Sequence, residues 1–219
     1  MRAALLDALG TLVELERPWP ALVEELRARG VSVSEDDARR AMLAEMAYYK
    51  RNHDDASDWA GLADLRRRCA GIVQAELRIA LPIEDVEEAM LAAIRFRPYP
   101  EVPGVLSALR GQGVRLVVVS NWDVSLHDVL ERTRLRALLD GVVTSAEFGA
   151  AKPDAAIFAR ALELAGARPE EAVHAGDDVE ADVHGARAAG IEPVLVARDG
   201  EPAPEGVRRI ATLEGLLPG

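Results

Sequence analysis

Carboxylates occur in this sequence where they could hold a cation and attack an electrophile. Asp7 interrupts the apolar stretch LLDALGTLVEL. Much later in the chain, four more carboxylates fall within six residues, at Asp177, Asp178, Glu180 and Asp182. Such a cluster is repulsive unless the N–H groups of a helix start or a bound cation compensate it. Since Mg²⁺ takes oxygen ligands, we predict a Mg²⁺ site shared by Asp7 and this cluster, with helix capping as the alternative.

Other polar residues also lie in or after short apolar runs, as Asp7 does. Ser120 and Asn121 follow the apolar run VRLVVV, and Lys152 lies in the loop EFGAAKPD after the run GVVTS. Lys152 and Lys50 are the only two lysines among 26 basic residues. Because arginine is the usual cation of this chain, a lysine suggests a specific role.

These residues must be positioned by strands and helices, which the sequence also indicates. Five β-rich or apolar runs lie at 2–6, 114–120, 141–145, 171–176 and 192–197. Four of them lack apolar/polar alternation, as buried parallel strands do. Helical segments are predicted at 102–112, 125–139, 153–165 and 179–189. This alternation predicts an α/β fold with a doubly wound parallel, Rossmann-like sheet, whose ligands bind at the carboxyl ends of the strands.

About a hundred residues separate the first two predicted strands, and this segment has helical periodicity. Its apolar stripes include Trp19, Leu22, Val23 and Leu26 at spacings of three and four. Ser34 is a plausible N-cap and Gly30 a plausible helix stop. The stretches RPWP and RPYP flank the segment. We therefore predict a helical cap domain at 18–96, inserted into an α/β core formed by 1–17 and 97–219.

The net charge and the cysteine content limit which partners and which cellular location we expect. The net charge of −11 and pI near 4.9 disfavour nucleic acid and anionic membranes as partners, because both would be repelled. A small anionic substrate would need locally placed cations. The single cysteine excludes an intramolecular disulfide, and no signal peptide or membrane span is evident. We expect a cytoplasmic protein, and the sequence leaves its oligomeric state open.

Four segments resemble the motifs of the haloacid dehalogenase-like (HAD) hydrolase superfamily. They are DALGTL at 7–12, VVVSN at 117–121, AKPD at 151–154 and GDDVEADVHGARAAG at 176–190. The segments have the family's order and lie at its strand ends, with a helical cap after the first, so the resemblance spans the whole chain. It implies a phosphatase-type hydrolase that uses Mg²⁺ and acts on a small phosphorylated or similarly activated metabolite.

The resemblance also implies a role for each matching residue. Asp7 is expected to be the nucleophile, forming a covalent aspartyl intermediate that water cleaves. Ser120 and Lys152 would stabilise charge on the transferred group, and Ser120 and Asn121 would contact substrate. The implied metal ligands are Asp7, the backbone carbonyl of Leu9, Asp177 and Asp182, the last directly or through water.

Leu9 departs from the family pattern. Phosphatases of this superfamily usually have a second aspartate there, which protonates the leaving group and then activates water, and leucine can do neither. Three explanations are open: the leaving group needs no proton, as with acyl phosphates or halides; the cap supplies the group; or catalysis has been lost. In the cap, the segment AYYKRNHDDASD offers His53 as an acid/base, or Lys50 as a Schiff-base amine like the cap lysine of related phosphonoacetaldehyde hydrolases. Both are candidate substrate-binding residues, and a solvated helix end is the alternative.

Three other functions fit parts of the pattern. A metal-independent 2-haloacid dehalogenase has a leaving group that needs no acid, which suits Leu9, but the acidic cluster argues against it. A phospho-receiver module also places aspartates, Mg²⁺, Ser/Thr and Lys at strand ends, but usually has its acidic pair after the first strand and lacks a large helical insertion. A catalytically silent phosphate-binding protein on the same fold is the third, because fold does not determine function.

Overall fold

Parallel strands form the sheet on which the candidate residues lie. The computed structural model describes residues 1–200 and 202–218. Its strands are β1 (Ala3–Leu6), β2 (Val13–Leu15), β3 (Phe96–Pro98), β4 (Arg115–Ser120), β5 (Gly141–Thr144), β6 (Ala172–Gly176), β7 (Glu192–Val196) and β8 (Arg208–Ile210). Six of them form one sheet in the order β5-β4-β1-β6-β7-β8, while β2 pairs with β3. The predicted doubly wound parallel sheet is confirmed.

Strand β1 lies near the middle of this sheet. It is fully buried, and it pairs in parallel with β4 on one side and β6 on the other. In this register Leu5 lies between Val117 of β4 and His174 of β6. Asp7, which follows β1 directly, therefore lies beside the carboxyl ends of both neighbours, where ligand sites of such sheets occur.

Within the described residues, nine α-helices accompany the strands. They are α1 (Pro18–Ala28), α2 (Glu35–Asn52), α3 (Trp59–Leu77), α4 (Ile83–Ala93), α5 (Val102–Gly111), α6 (Leu126–Arg132), α7 (Ser145–Phe148), α8 (Ala155–Ala165) and α9 (Gly185–Ala188). Among the described residues, no helix combines the length and the apolar character that a membrane span requires.

The helix predicted at 125–139 is shorter than expected. α6 ends at Arg132, and a separate 3-10 turn covers Arg136–Leu138. Thr133 Oγ1 donates to the Val129 carbonyl at 2.7 Å, and Arg134 has a left-handed φ of 60°. A left-handed residue cannot continue a right-handed helix, so the chain leaves the helical path there.

The chain divides into two compact units. The first, here called the core unit, comprises Met1–Glu14 and the chain from Arg97 onward; the second, the helical insertion, is Leu15–Phe96. The sequence predicts these two boundaries after residues 17 and 96. Within the insertion, Ser34 Oγ accepts from the Asp37 amide at 3.1 Å and Gly30 has a φ of 81° after α1, which confirms the predicted cap and stop.

The helical insertion buries one acidic side chain among apolar ones. Glu45 on α2 is only 4% exposed. Burial raises the pKa of its carboxyl above the usual 4.5, and a hydrogen bond with Cys69 offsets this only in part. The protonated form therefore stabilises the folded state. That contribution is complete below the unfolded-state pKa and is lost as the pH rises through the folded-state value.

Replacing Glu45 with Gln should therefore stabilise the protein, and more so at higher pH. The amide keeps the shape of the protonated acid and cannot ionise, so we expect a gain on the order of 1 kcal/mol at pH 8 and a smaller one at pH 5.5. Urea unfolding at both pH values measures it. Glu76→Gln, at an exposed position on α3, is the control, and an equal gain from both variants would contradict the explanation.

Candidate active site

Asp7 is held at the end of β1 by residues from two other strand ends. Its side chain is buried, with 6% of the residue exposed. Ser120, the last residue of β4, donates from Oγ to Asp7 Oδ1 at 3.0 Å. Lys152 Nζ donates to the same oxygen at 2.6 Å. Since no described donor bonds Oδ2, this second oxygen is the one able to act on a substrate.

Lys152 links Asp7 to the acidic cluster. Its buried ammonium also donates to Asp182 Oδ1 at 2.6 Å. Burial alone would lower the pKa of this lysine, but the charges of Asp7 and Asp182 outweigh burial and raise it. The ammonium is therefore charged at neutral pH. It supplies a fixed positive charge beside the nucleophile candidate.

Asn121 holds the backbone of Lys152. Its Nδ2 donates to the Lys152 carbonyl at 2.9 Å, and its Oδ1 accepts from the Lys152 amide at 2.7 Å. This two-sided clamp ties the end of β4 to the loop after α7. The structure thus gives Asn121 a positioning role, which differs from the substrate contact that the sequence suggested. Substrate contact stays a prediction.

The clamp can be tested through kinetics. Asn121→Ala should lower kcat by about 10- to 100-fold, because a displacement of about 1 Å at a reacting group is costly, with little change in KM. Asn52→Ala is a matched control, since Asn52 also donates to a backbone carbonyl, that of Tyr48 in the helical insertion. A rise in KM at unchanged kcat would instead favour direct contact with substrate.

Three carboxylates converge at this end of the sheet. One oxygen from each of Asp7, Asp177 and Asp182 lies within 4.8 Å of the others. Burial, and then the charges of Asp7 and Asp182, raise the pKa of Asp177 to about 7, although the residue retains solvent access. Burial also raises the pKa of Asp7 despite the nearby lysine.

Asp182 differs from the other two carboxylates. Burial opposes its ionisation, but Lys152 and His174 outweigh burial and lower its pKa. The single ammonium of Lys152 compensates three carboxylates only in part. A hard divalent cation fits this set of oxygen donors, and it would lower the repulsion that raises the pKa of Asp177.

Two glycines let the carboxylates approach the backbone. A Cβ on Gly10, which has a φ of 81°, would lie 2.2 Å from Asp177 Oδ2. A Cβ on Gly176 would lie 2.1 Å from Asp182 Cγ. Any larger residue would displace these carboxylates. The Gly-Thr turn after Asp7 therefore needs glycine for close packing as well as for its left-handed backbone conformation.

His174 is a residue that the sequence did not assign. It is fully buried in β6, with its ring edge-on to Phe158 at 5.0 Å between centroids, which agrees with a packed histidine. It also bonds Asp182: Nε2 lies 2.8 Å from Oδ1. The only available signal was a polar side chain within an otherwise apolar strand, three residues before Asp177. Its role depends on a contact that the sequence does not reveal.

The cluster after β6 begins with an irregular turn. A π-helical turn covers Val179–His184, followed by α9, where the sequence predicted one helix over 179–189. Asp178 Oδ1 accepts from the amides of Glu180 and Ala181, both at 2.8 Å. The helix-capping explanation therefore holds for Asp178. It does not account for the three converging carboxylates.

Three residues that the sequence suggested remain, Leu9, Lys50 and His53. Leu9 is 45% exposed and follows Asp7 in the core unit. Lys50 and His53 belong to the helical insertion, at the end of α2 and directly after it. His53 Nδ1 lies 3.1 Å from the Lys50 carbonyl, and Nε2 lies 3.3 Å from Asp54 Oδ1. Substrate binding by Lys50 and His53 stays a hypothesis.

Comparison with known proteins identifies the family. A family model described as haloacid dehalogenase-like hydrolase matches residues 1–190. The chain belongs to the haloacid dehalogenase-like hydrolases. This HAD-like hydrolase is 31% identical to haloacid dehalogenase-like hydrolase domain-containing protein 3 of Mus musculus, over 100% of this chain and 90% of the mouse protein.

Two further relatives are phosphatases by name. Glyceraldehyde 3-phosphate phosphatase of Methanopyrus kandleri is 30% identical to this HAD-like hydrolase, over 90% of the chain and 84% of that protein. The crystal structure of a HAD phosphatase from Thermococcus onnurineus has a TM-score of 0.67 and 27% identity, over 99% of this chain and 96% of that one. The expected superfamily and its fold are thereby confirmed.

Proposed function

We propose that this HAD-like hydrolase is a Mg²⁺-dependent phosphatase in which Asp7 attacks the phosphorus of a small phosphorylated metabolite. The arrangement of the Asp7 carboxylate carries the proposal. Ser120 and Lys152 both bond Oδ1, which orients the carboxylate and leaves Oδ2 as the nucleophilic oxygen. The names of relatives such as the Methanopyrus phosphatase support phosphorus as the target.

The first step transfers the phosphoryl group to the enzyme. Asp7 Oδ2 forms a bond to phosphorus while the bond from phosphorus to the leaving oxygen breaks, and the leaving group departs with that electron pair. Lys152 Nζ and Ser120 Oγ lie close enough to Asp7 to stabilise charge on the transferred group. The product is an aspartyl phosphate on Asp7.

The second step releases phosphate. Water attacks phosphorus, the bond to Asp7 Oδ2 breaks, and Asp7 returns as a carboxylate that needs no proton. The proton of the attacking water passes to the phosphate product or to solvent. With Leu9 in place of an acid/base, the first leaving group must also depart without a proton. The proposed substrates are therefore acyl phosphates or esters of acidic alcohols.

Magnesium would occupy the site that the three carboxylates form. Asp7, Asp177 and the backbone carbonyl of Leu9 would hold it, with Asp182 as a direct or water-mediated partner. When bound, the ion would supply positive charge against the phosphoryl oxygens. We also propose a cytoplasmic location and an anionic small molecule, rather than nucleic acid or membrane, as the partner.

A panel of substrates tests the proposal. Hydrolysis of acetyl phosphate, an aryl phosphate with an acidic phenol and a simple alkyl phosphate should be compared with Mg²⁺ and with chelator. We expect turnover of the first two only, and its loss with chelator. Equal turnover of the alkyl ester would show that another residue replaces the missing acid. Turnover of 2-haloacids without metal, or phosphate binding without turnover of any substrate, would overturn the proposal in favour of a dehalogenase or a silent binding protein.

A further inference from the structure

An arginine outside the four motifs binds the turn that follows Asp7. Arg198 lies just beyond β7, and its side chain is 15% exposed. Its Nε donates to the Gly10 carbonyl at 2.9 Å, and its Nη2 donates to the Thr11 carbonyl at 2.8 Å. One guanidinium thus fixes two consecutive carbonyls of the turn. A long-range contact of this kind, across nearly the whole chain, cannot be inferred from sequence spacing.

Two further residues hold the guanidinium itself. Glu101 Oε1, at the start of α5, lies 2.8 Å from Nη2. The ring of Tyr99 lies under the guanidinium, with 3.4 Å between Cζ and the ring centroid. The Tyr99 amide also donates to the Leu12 carbonyl, in the same turn, at 3.1 Å. Nη2 thus donates to the Thr11 carbonyl and forms an ion pair with Glu101, so Arg198 is fixed from several sides.

The turn that Arg198 holds forms one side of the carboxylate site. Gly10 packs against Asp177 so closely that a Cβ would lie 2.2 Å from Oδ2. Leu9, whose carbonyl is a proposed metal ligand, directly precedes Gly10. A shift of the Gly10 and Thr11 carbonyls would therefore change the distance between the Leu9 carbonyl and Asp177.

We propose that Arg198 is a positioning residue, which sets the affinity of the site for Mg²⁺ by fixing the turn from Leu9 to Thr11 against Asp177. This inference rests on the proposed Mg²⁺ site. The charge of Arg198 and its hydrogen bonds have opposite effects on the affinity for Mg²⁺. Arg198 is a cation near a cation site, so its charge alone weakens Mg²⁺ binding, whereas its hydrogen bonds strengthen binding by ordering the ligands.

This opposition makes the proposal testable without any substrate. Arg198→Lys keeps the charge but cannot reproduce the planar fork that reaches both carbonyls and Glu101. Arg198→Gln removes the charge as well. We expect both variants to bind Mg²⁺ about 10-fold or more weakly, because partners that orient metal ligands are typically worth 10- to 100-fold in metal affinity. Tyr99→Leu, which removes the ring under the guanidinium, should weaken binding by a few fold.

Calorimetric titration of the intact protein with MgCl₂ measures the affinities, and thermal melting with and without Mg²⁺ checks that each variant is folded. The control is Arg187→Lys, since Arg187 Nη2 also donates to a carbonyl, that of Glu205, at 3.1 Å on an exposed surface. It should bind Mg²⁺ as the wild type does. Tighter binding by Arg198→Gln, or unchanged binding by folded Arg198→Lys, would overturn the positioning role alone. A wild type that binds no Mg²⁺ would overturn both the proposed metal site and this inference.

Discussion

Replacing Asp7 with Asn should abolish turnover of acetyl phosphate while leaving the protein folded. The amide lacks the charge and the nucleophilicity of the carboxylate, so we expect kcat to fall by about 10⁴-fold or more. The amide oxygen can still accept from Ser120 and Lys152, and Lys152 keeps Asp182 as a partner. Because burial raises the pKa of Asp7, its ionised form is costly in the folded state, and we expect Tm to stay the same or rise.

The nucleophilic role of Asp7 must be separated from its role as a proposed metal ligand. Acid quenching during turnover of ³²P-labelled substrate should trap label on the wild-type chain at Asp7, and none on Asp7→Asn. Asp178→Asn removes the same charge from a residue whose carboxylate only caps the following turn. It should retain kcat within a few fold and nearly all of the stability, because asparagine caps a helix about as well as aspartate. Label trapped at another residue, or substantial turnover by Asp7→Asn, would rule out Asp7 as nucleophile.

The sequence was most informative about the sheet and the strand ends. Buried parallel strands have continuous apolar runs, so the five predicted strands correspond to β1, β4, β5, β6 and β7. The strands that were missed, β2, β3 and β8, have three residues each. β8 has the sequence RRI and two exposed arginines at the edge of the sheet. Its pairing depends on its neighbour β7, and its own pattern gives no signal.

In the candidate site too, the sequence predicted which residues lie at strand ends but not which side chains contact each other. Asp7, Ser120 and Lys152 were found because parallel strands bring their carboxyl ends to one edge, so position in the chain predicts proximity in space. No such rule predicts three other contacts of the site. They are the contacts of His174 with Asp182, of Asn121 with the Lys152 backbone and of Arg198 with Gly10. Each depends on side-chain direction in the folded protein, which periodicity does not specify.

The largest gain of function should come from restoring a carboxyl group at the position of Leu9. By resemblance to the superfamily, this position carries the acid that protonates the leaving group. Leu9→Asp should therefore raise kcat/KM for a simple alkyl phosphate by about 10²- to 10⁴-fold, the usual contribution of general acid-base catalysis. Because Leu9 is 45% exposed, removing its side chain should cost little stability. Acetyl phosphate, whose leaving group needs no proton, should gain far less.

The pH dependence of Leu9→Asp identifies the mechanism of any gain. Nearby Asp7 and Asp177 would raise the pKa of the introduced carboxyl, so its protonated form would persist nearer neutral pH. Alkyl phosphate turnover should then fall as the pH rises through that value, whereas acetyl phosphate turnover should not. Leu9→Asn, which has the same shape without an ionisable proton, is the control. If Leu9→Asn gains as much as Leu9→Asp, the effect is one of space or polarity, and the missing acid does not explain the substrate range. A gain confined to Leu9→Asp would instead mean that the wild-type site is built to use leaving groups that depart unprotonated.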